Sequence, residues 1–501
     1  MIDSKEIKVL DINSEYYGVP SYQLMENAGK NVADFTIKNL KPRNILVLCG
    51  LGNNGGDGFV AARYLSKKYN VTVFVVGTPA DIKTNIAKNN FKKLKQIKIY
   101  DNSSLNLLSK LLAENDLIID SMLGIGIFGK LREPYLGVLK KINNLKDKTI
   151  VSVDVPTGFG TNNLLKPGYT ITFHDAKKGM TKKNCGKIIT ADIGIPEKAI
   201  EYIGPGELVT YYPIPKKESH KGDNGRLLVV GGGPYYGAPA LSSFAAQRTG
   251  TDLIYIVTPK KVARAITSYS PLLIKPTPLA KKVAKHSPTL IVKELKNEEK
   301  LVSIDIEIVS SLIKKVDALL IGPGLGNDNE TKKAVKKILQ LFVKNQKPIT
   351  IDADAIQVVG KNLDIVRNNQ TVITPHSGEF RELTGIKITD KLNERKKHVQ
   401  KWAKKIGCVI VLKGPVDIIS NGYQTKFNDI HNQSMTVGGT GDVLAGIIGA
   451  LLSKGVKPFN AARIGVFING AAGNLAFKKK SYGLIATDII EEIPNILKKY
   501  L

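Results

Sequence analysis

Short apolar runs alternate with amphipathic, helix-like runs along almost the whole chain. That alternation predicts parallel sheets covered by helices. In the first half, apolar runs lie at 44–49, 71–76, 116–120, 149–153, 170–174 and 187–190. Helix-like runs at 21–39, 58–69 and 81–95 precede or separate several of them. The pattern restarts with RLLVVGGGPYYGAPALSSFAAQRTG at 226–250. Further apolar runs follow at 252–257, 317–321, 348–352, 371–374 and 408–412, and helical segments around 441–453 and 459–477 close the chain. Between the halves, 204–225 (GPGELVTYYPIPKKESHKGDNG) mixes proline, glycine and charge without periodicity and reads as a linker. A chain of 501 residues is too long for one core. Two α/β domains are expected, at 1–210 and 215–501.

Parallel sheets bind ligands where strand C-termini meet, so the residues that follow the apolar runs carry the functional reading. After 44–49 comes Gly50-Leu-Gly52-Asn53-Asn54-Gly55-Gly56-Asp57-Gly58. It formally matches G-x-G-x-x-G, and its glycines leave backbone N–H groups open to phosphate. The dinucleotide fingerprint also wants an acid at the end of the second strand, where this chain has Gly77-Thr78. Run 116–120 ends in Asp120 and enters SMLGIGIFGK; run 149–153 leads into Asp154-Val-Pro-Thr157-Gly. Asn53, Asn54, Asp57, Asp120, Asp154 and Thr157 are therefore expected at one edge. This oxygen-rich set suits a hard cation and acid/base work, not zinc.

In the second half, Val437-Gly438-Gly439-Thr440-Gly441-Asp442 precedes the apolar helix VLAGIIGALL. Free amides at that helix start suit a transferring phosphoryl group, and Asp442 is placed to take a proton from a hydroxyl. Other strand ends converge on the same cleft: Gly231 to Ala238, Ile321 to Gly326, Asp352-Ala-Asp354, Thr374-Pro-His376-Ser-Gly-Glu379 and Leu412-Lys413-Gly414-Pro415. No G-x-x-x-x-G-K-[ST] is present, which excludes a P-loop kinase.

The net charge of +29 raises the question of nucleic acid. The lysines come in short clusters (KKLK, KKVAK, KKAVKK) with little aromatic interleaving, the pattern of a solvated surface. Cys49, Cys185 and Cys408 lack metal-ligand spacing and read as reduced thiols. The opening MIDSKEIKVLD has no signal-peptide core, and no run approaches a membrane span. The expectation is a cytoplasmic homo-oligomer acting on small molecules, with neither nucleic acid nor membrane as partner.

NNGGDG after one strand, VDVPTG after another and HDAKKGM beyond them resemble the N-terminal domain of the bifunctional NAD(P)H-hydrate repair enzymes, over roughly 1–210. The resemblance implies a Rossmann-like three-layer αβα sandwich that epimerises the R and S hydrates of NADH and NADPH. It implies that Asn54, Asp120 and Thr157 hold a potassium ion. The hydrate would be held by Asn53, Asn54, Gly55, Gly56 and Asp57, by Gly124, Ile125, Gly126, Ile127, Phe128, Gly129 and Lys130, and by Asp154. Asp57 and Asp154 would be the catalytic carboxylates.

The motifs of 220–501 resemble the same family's ADP-dependent dehydratase domain, a ribokinase-like αβα fold. By that resemblance Ala238, Gly324, His376 and Asp442 contact the hydrate. Lys413, Gly414, Pro415, Val416 and Asp417, with Gly438, Gly439, Thr440 and Gly441, contact ADP, and Mg2+ screens the phosphates. Asp442 would be the base as the hydrate hydroxyl is phosphorylated; the ring nitrogen then expels phosphate, giving AMP, phosphate and NAD(P)H. Two departures stand out: Asp417 replaces a common threonine, and His431-Asn-Gln-Ser-Met-Thr replaces Asn-Pro-Gly. The alternatives are a ribokinase-like vitamin or sugar kinase with a regulatory nucleotide-binding domain, and a non-catalytic RNA-binding protein.

Overall fold

The computed structural model describes residues 1–126, 129–268, 290–367 and 370–501. The chain divides into two compact units, Met1–Ile200 and Glu201–Leu501.

In the first unit, β1 (Asn44–Cys49), β2 (Asn70–Val75), β3 (Lys98–Tyr100), β4 (Leu117–Ser121), β5 (Thr149–Val153), β6 (Tyr169–Phe173) and β7 (Lys187–Ala191) form one sheet. Its order is β3-β2-β1-β4-β5-β6-β7, and every pairing is parallel. Ile45 and Val47 of β1 point into one core, Leu46 and Leu48 into the other. A strand buried on both faces needs helices on both, which gives the expected three layers. Strand order reverses between β1 and β4, so their C-terminal ends open the crevice where such sheets bind ligands.

The second unit repeats the plan with β8 (Arg226–Val230), β9 (Leu253–Thr258), β10 (Ile291–Glu294), β11 (Ala318–Ile321), β12 (Ile349–Ile351), β13 (Thr371–Ile373), β14 (Val409–Leu412), β15 (Asp417–Ser420) and β16 (Thr425–Asn428). The order is β10-β9-β8-β11-β12-β13-β14-β15-β16, with the last two pairings antiparallel. Here the switch point lies between β8 and β11. Leu227 and Val229 face one core, Leu228 and Val230 the other.

Three expectations are corrected. First, 204–225 is not a linker throughout. Pro205–Tyr211 is a helix, Leu208 is fully buried, and Glu207 forms a buried ion pair with Arg463 at 3.5 Å. The segment looked aperiodic because it is too short for helical periodicity to register. Second, the helix after β1 begins at Asn53, not 58, so Asn53 to Asp57 form its first turns. Third, sequence reading omitted the helix Ser4–Tyr16, β3, β10 and the β15–β16 hairpin. β3 is a three-residue edge strand whose Lys98 and Ile99 are exposed, so it lacks the apolar run of an interior strand.

Candidate active sites

The glycines after β1 exist mainly for the chain's own packing. A Cβ at Gly50 would lie 1.7 Å from the Met122 carbonyl oxygen, one at Gly55 2.0 Å from that of Gly50, and one at Gly58 1.9 Å from Ser121 Oγ. Such gaps let the β1 turn and the helix start sit directly on the end of β4. Cβ atoms at Gly52, Gly126 and Gly129 would meet nothing within 4 Å. Those positions face open space, where a ligand backbone approach is available.

Asp120 ends β4 fully buried. Its carboxylate accepts from Thr157 Oγ1 at 2.6 Å, Thr157 N at 2.9 Å, Ser152 Oγ at 2.8 Å and Met122 N at 3.3 Å. Burial raises its pKa, and these bonds oppose the rise. Thr157 Oγ1 in turn accepts from Leu123 N at 3.2 Å. A Cβ on Gly124 would sit 3.5 Å from Asn54 Cβ, so the loop after β4 reaches the helix start. Asn54 Oδ1 and Nδ2 are both buried without a hydrogen-bond partner. A buried amide with neither end satisfied costs free energy. An unpaired amide oxygen is the kind of donor that a hard, singly charged cation takes. Among the described residues no cluster of three or more His, Cys, Asp or Glu side chains is arranged for a metal ion.

Asn53 is exposed and accepts from Thr84 Oγ1 at 2.7 Å. Gly126, Gly129 and Lys130 are exposed and Ile125 is half-buried. Ile127 and Phe128 lie outside the described residues.

Asp154 has φ of +64°, a left-handed conformation that a non-glycine residue rarely holds. Phe173 N donates to its Oδ1 at 3.3 Å, and Lys177 Nζ pairs with the same oxygen at 2.5 Å. Lys177 is 2% exposed and also donates to the Phe173 carbonyl at 2.7 Å. Burial, then the charges of Asp154 and Asp11, push the Asp57 carboxyl well above its usual range; Lys177 opposes them. Crowding by protein, then Asp154, raises Asp11 to about 6 although its side chain reaches solvent. Sequence reading missed both Asp11 and Lys177. Lys177 lay inside the quoted HDAKKGM, but its spacing carries no chemical signal; Asp11 lies on an overlooked helix.

In the second unit, Gly439 has φ of +93° and turns the chain into the helix Thr440–Ser453. A Cβ at Gly438 would meet nothing within 4 Å, and one at Gly441 would lie 3.3 Å from Lys413 Nζ. Asp442 is in the first turn of that helix. Burial, then Asp352, raise it to about 7; Lys413 opposes, and Glu379 and Asp354 add to the rise. A carboxyl titrating near neutrality suits a general base.

Lys413 is expected at the nucleotide, but its observed partners are carboxylates: Asp352 Oδ1 at 3.0 Å and Glu379 Oε2 at 3.7 Å. Thr374 Oγ1 donates to Asp352 Oδ1 at 2.7 Å. Asp417 closes its own turn, accepting from Gly414 N at 3.0 Å and Asn428 Nδ2 at 2.9 Å. A Cβ on Gly414 would press on the Arg395 guanidinium, whose Nη2 is buried without a partner. His376 caps the helix Ser377–Thr384: its Nδ1 accepts from Gly378 N at 3.0 Å, and Glu379 Oε2 accepts from His376 N at 2.8 Å. With Nδ1 so engaged, Nε2 remains to face a ligand or Glu379 Oε1 at 3.3 Å. Gly324, at φ of +69°, and Ala238 are neighbours: a Cβ on Gly324 would lie 3.2 Å from Ala238 Cβ. So β8 and β11 bring these two together at the switch point. Lys413, Gly441, Asp442, Asp352 and Glu379 form a second cluster.

Comparison with known proteins follows the same division. Residues 227–495 match the NAD(P)H-hydrate dehydratase family, and residues 21–179 match the YjeF-related protein N-terminus. The bifunctional NAD(P)H-hydrate repair enzyme Nnr of Hyperthermus butylicus is 36% identical, covering 99% of this chain and 92% of its own. Its namesake from Archaeoglobus fulgidus is 38% identical, over 99% and 98%. A ribokinase-like superfamily protein from Enterococcus faecalis superposes with a TM-score of 0.50 at 25% identity, covering 60% of this chain and 96% of its own. With relatives this similar over their full lengths, the chain belongs to the family of bifunctional NAD(P)H-hydrate repair enzymes.

Proposed function

We propose that this chain repairs hydrated NADH and NADPH in two steps: its first unit interconverts the R and S hydrates, and its second dehydrates the S hydrate using ADP. The observation that carries the reading is Asp442, raised to about 7 at the start of a helix and preceded by the open glycine Gly438. The hydrate bears a hydroxyl beside the ring nitrogen. In the second unit Asp442 takes that hydroxyl's proton as it attacks a nucleotide phosphoryl group. Amides of the Gly438–Gly441 turn stabilise the charge on the transferring group. The ring nitrogen's lone pair then expels phosphate to form a carbon–nitrogen double bond, and loss of a proton to water from the neighbouring ring carbon returns those electrons to nitrogen as the ring carbon–carbon double bond is restored. Ala238, Gly324 and His376 border the hydrate, and Lys413 to Asp417 border the nucleotide. Lys413, between Asp352 and Glu379, keeps those carboxylates from repelling the phosphates. Mg2+ arriving with the nucleotide would supply further phosphate screening.

In the first unit, Asn54, Asp120 and Thr157 hold K+, with the unsatisfied Asn54 amide as its support. K+ would fix the hydrate by its oxygens. Asp57 and Asp154 act on the ring, and the segment 124–130 with Asn53 to Asp57 borders the hydrate. We further infer a domain division at the Ile200–Glu201 junction, cytoplasmic residence and self-association. Among the described residues no helix is long and apolar enough to cross a membrane.

The experiment is incubation of the purified chain with mixed hydrate epimers, with ADP or ATP, with and without K+. Consumption of both epimers, release of AMP and phosphate, and return of NAD(P)H absorbance are expected. Accumulation of a phosphorylated substrate, or no turnover, overturns the reading.

A further inference from the structure

One buried amine in the first unit pairs with one carboxyl and lowers the pKa of two more, the three coming from three different elements. Asp11 comes from the helix Ser4–Tyr16, Asp57 from the helix Asn53–Leu65 and Asp154 from the turn after β5. Lys177 comes from the turn after β6 and contacts Asp154 directly, at 2.5 Å. The Lys177 ammonium donates to the Phe173 carbonyl, and Phe173 N donates to Asp154 Oδ1, which closes a ring of contacts around the strained Asp154. The strand-like bridge of Ile2 to Lys177 covers this turn, with Lys178 N bonded to Ile2 O at 3.0 Å. Nearby, Asp175 is paired with the Met1 amino group at 2.9 Å, and its charge is thereby taken up elsewhere.

A lysine 2% exposed is costly to bury, and this one has more carboxylate than its own charge needs. Structural ion pairs do not require a second and third acid at the same spot. Asp11 and Asp57 are both raised, and in both Lys177 opposes the rise. Two carboxyls in unlike environments are the usual basis for an acid and a base in one site.

We propose that Lys177 is a positioning residue of the epimerase site: its ion pair holds the Asp154 carboxylate in place to accept a proton when the R hydrate reacts, while Asp57 donates one. The inference rests on the epimerase reading of this unit. The bond from ring carbon to hydroxyl breaks as the nitrogen lone pair forms a carbon–nitrogen double bond. The departing oxygen takes a proton from Asp57 and leaves as water. A water molecule adds to the same carbon from the opposite face, the double bond returns its electrons to nitrogen, and Asp154 accepts the proton released. One proton leaves Asp57 and one reaches Asp154, with nothing oxidised or reduced. Epimerisation in the other direction exchanges the two roles.

The test uses the full chain as Lys177→Met and Lys177→Arg, with epimerisation followed from pure R hydrate. Lys177→Met is expected to lower kcat about 10²-fold with KM little changed. Loss of the cation that opposes Asp57 and Asp11 should also displace the pH profile to higher pH by about one unit. Lys177→Arg, which keeps the charge, should recover most of kcat and the original profile. If Lys177→Met does not fold, the arginine variant alone decides: an activity fall with an unmoved profile overturns the assignment. So does a Lys177→Met variant that folds and keeps the wild-type kcat and profile. Absence of epimerisation in the wild type would instead overturn the epimerase reading, which separates the two failures.

Discussion

Dehydration by the second unit should depend on pH through Asp442, and the structure sets the size of the effect. A base must be ionised, and this carboxyl titrates at about 7 because burial and the Asp352 charge hold its proton. With one titrating group, about 9% is ionised one unit below and about 91% one unit above, so kcat/KM for the S hydrate should rise about tenfold from pH 6 to pH 8. An unperturbed carboxyl near 4 would give a flat profile over that range. Asp442→Asn keeps the shape but cannot accept a proton, and should lose about 10²–10⁴-fold, or roughly 3–5 kcal/mol of transition-state stabilisation. What remains should be flat with pH. The assay is initial rate of absorbance recovery from purified S hydrate with saturating ADP, against an enzyme-free blank at each pH. A wild-type profile flat between pH 6 and 8, or an Asp442→Asn variant within tenfold of wild type, refutes the argument. The sign for stability is opposite. A carboxyl whose folded pKa is raised favours the fold while protonated, and that contribution is lost as pH rises from about 4 through about 7. Asp442→Asn should therefore raise Tm at pH 8 by more than at pH 5, by a few degrees, which a thermal melt at the two pH values reads directly.

Lys413→Met should destabilise the second unit, because it leaves Asp352 buried without its cation; breaking such a pair costs about 3–5 kcal/mol, and a Tm equal to wild type would count against the pairing. Asp120→Asn should weaken epimerisation and its K+ dependence while S-hydrate dehydration continues, measured as a mixed-epimer time course that stalls after the S fraction; Asp120→Ala, which orphans the buried Thr157 and Ser152 donors, should also lower Tm. Gly55→Ala should lower Tm, since its Cβ would strike the Gly50 carbonyl, whereas Gly438→Ala should leave Tm unchanged and raise the KM for ADP. An equal Tm change in both glycine variants would remove the distinction between packing and ligand glycines.

Interior strands were legible from sequence because burial on both faces demands an unbroken apolar run: β1 and β5 fall at the expected residues, and most others within one. The same reading located Asp120 at the end of β4 and Asp154 just beyond β5, since in a parallel sheet a strand's C-terminus is also its place at the ligand edge; Asp442 was legible instead from the glycine turn at a helix start. Elements without such runs escaped: the exposed edge strand β3, and the β15–β16 hairpin, whose antiparallel return needs no crossover helix. Tertiary structure alone decided which glycines are required by the chain's own packing and which face open space. Cβ atoms at Gly50 and Gly58 would meet Met122 and Ser121, partners 72 and 63 residues away that spacing cannot reveal. It alone revealed that Asp417 closes a turn, that Lys413 faces carboxylates and that Pro205–Tyr211 is core rather than linker. Asp11 and Lys177 are the sharpest case. They are 166 positions apart in sequence and feel each other's charge only because the fold brings the helix Ser4–Tyr16 near the turn after β6. Local pattern reports what each segment buries; which charges then become neighbours, and so which proton each can hold, is set by the packing of segments that local pattern does not contain.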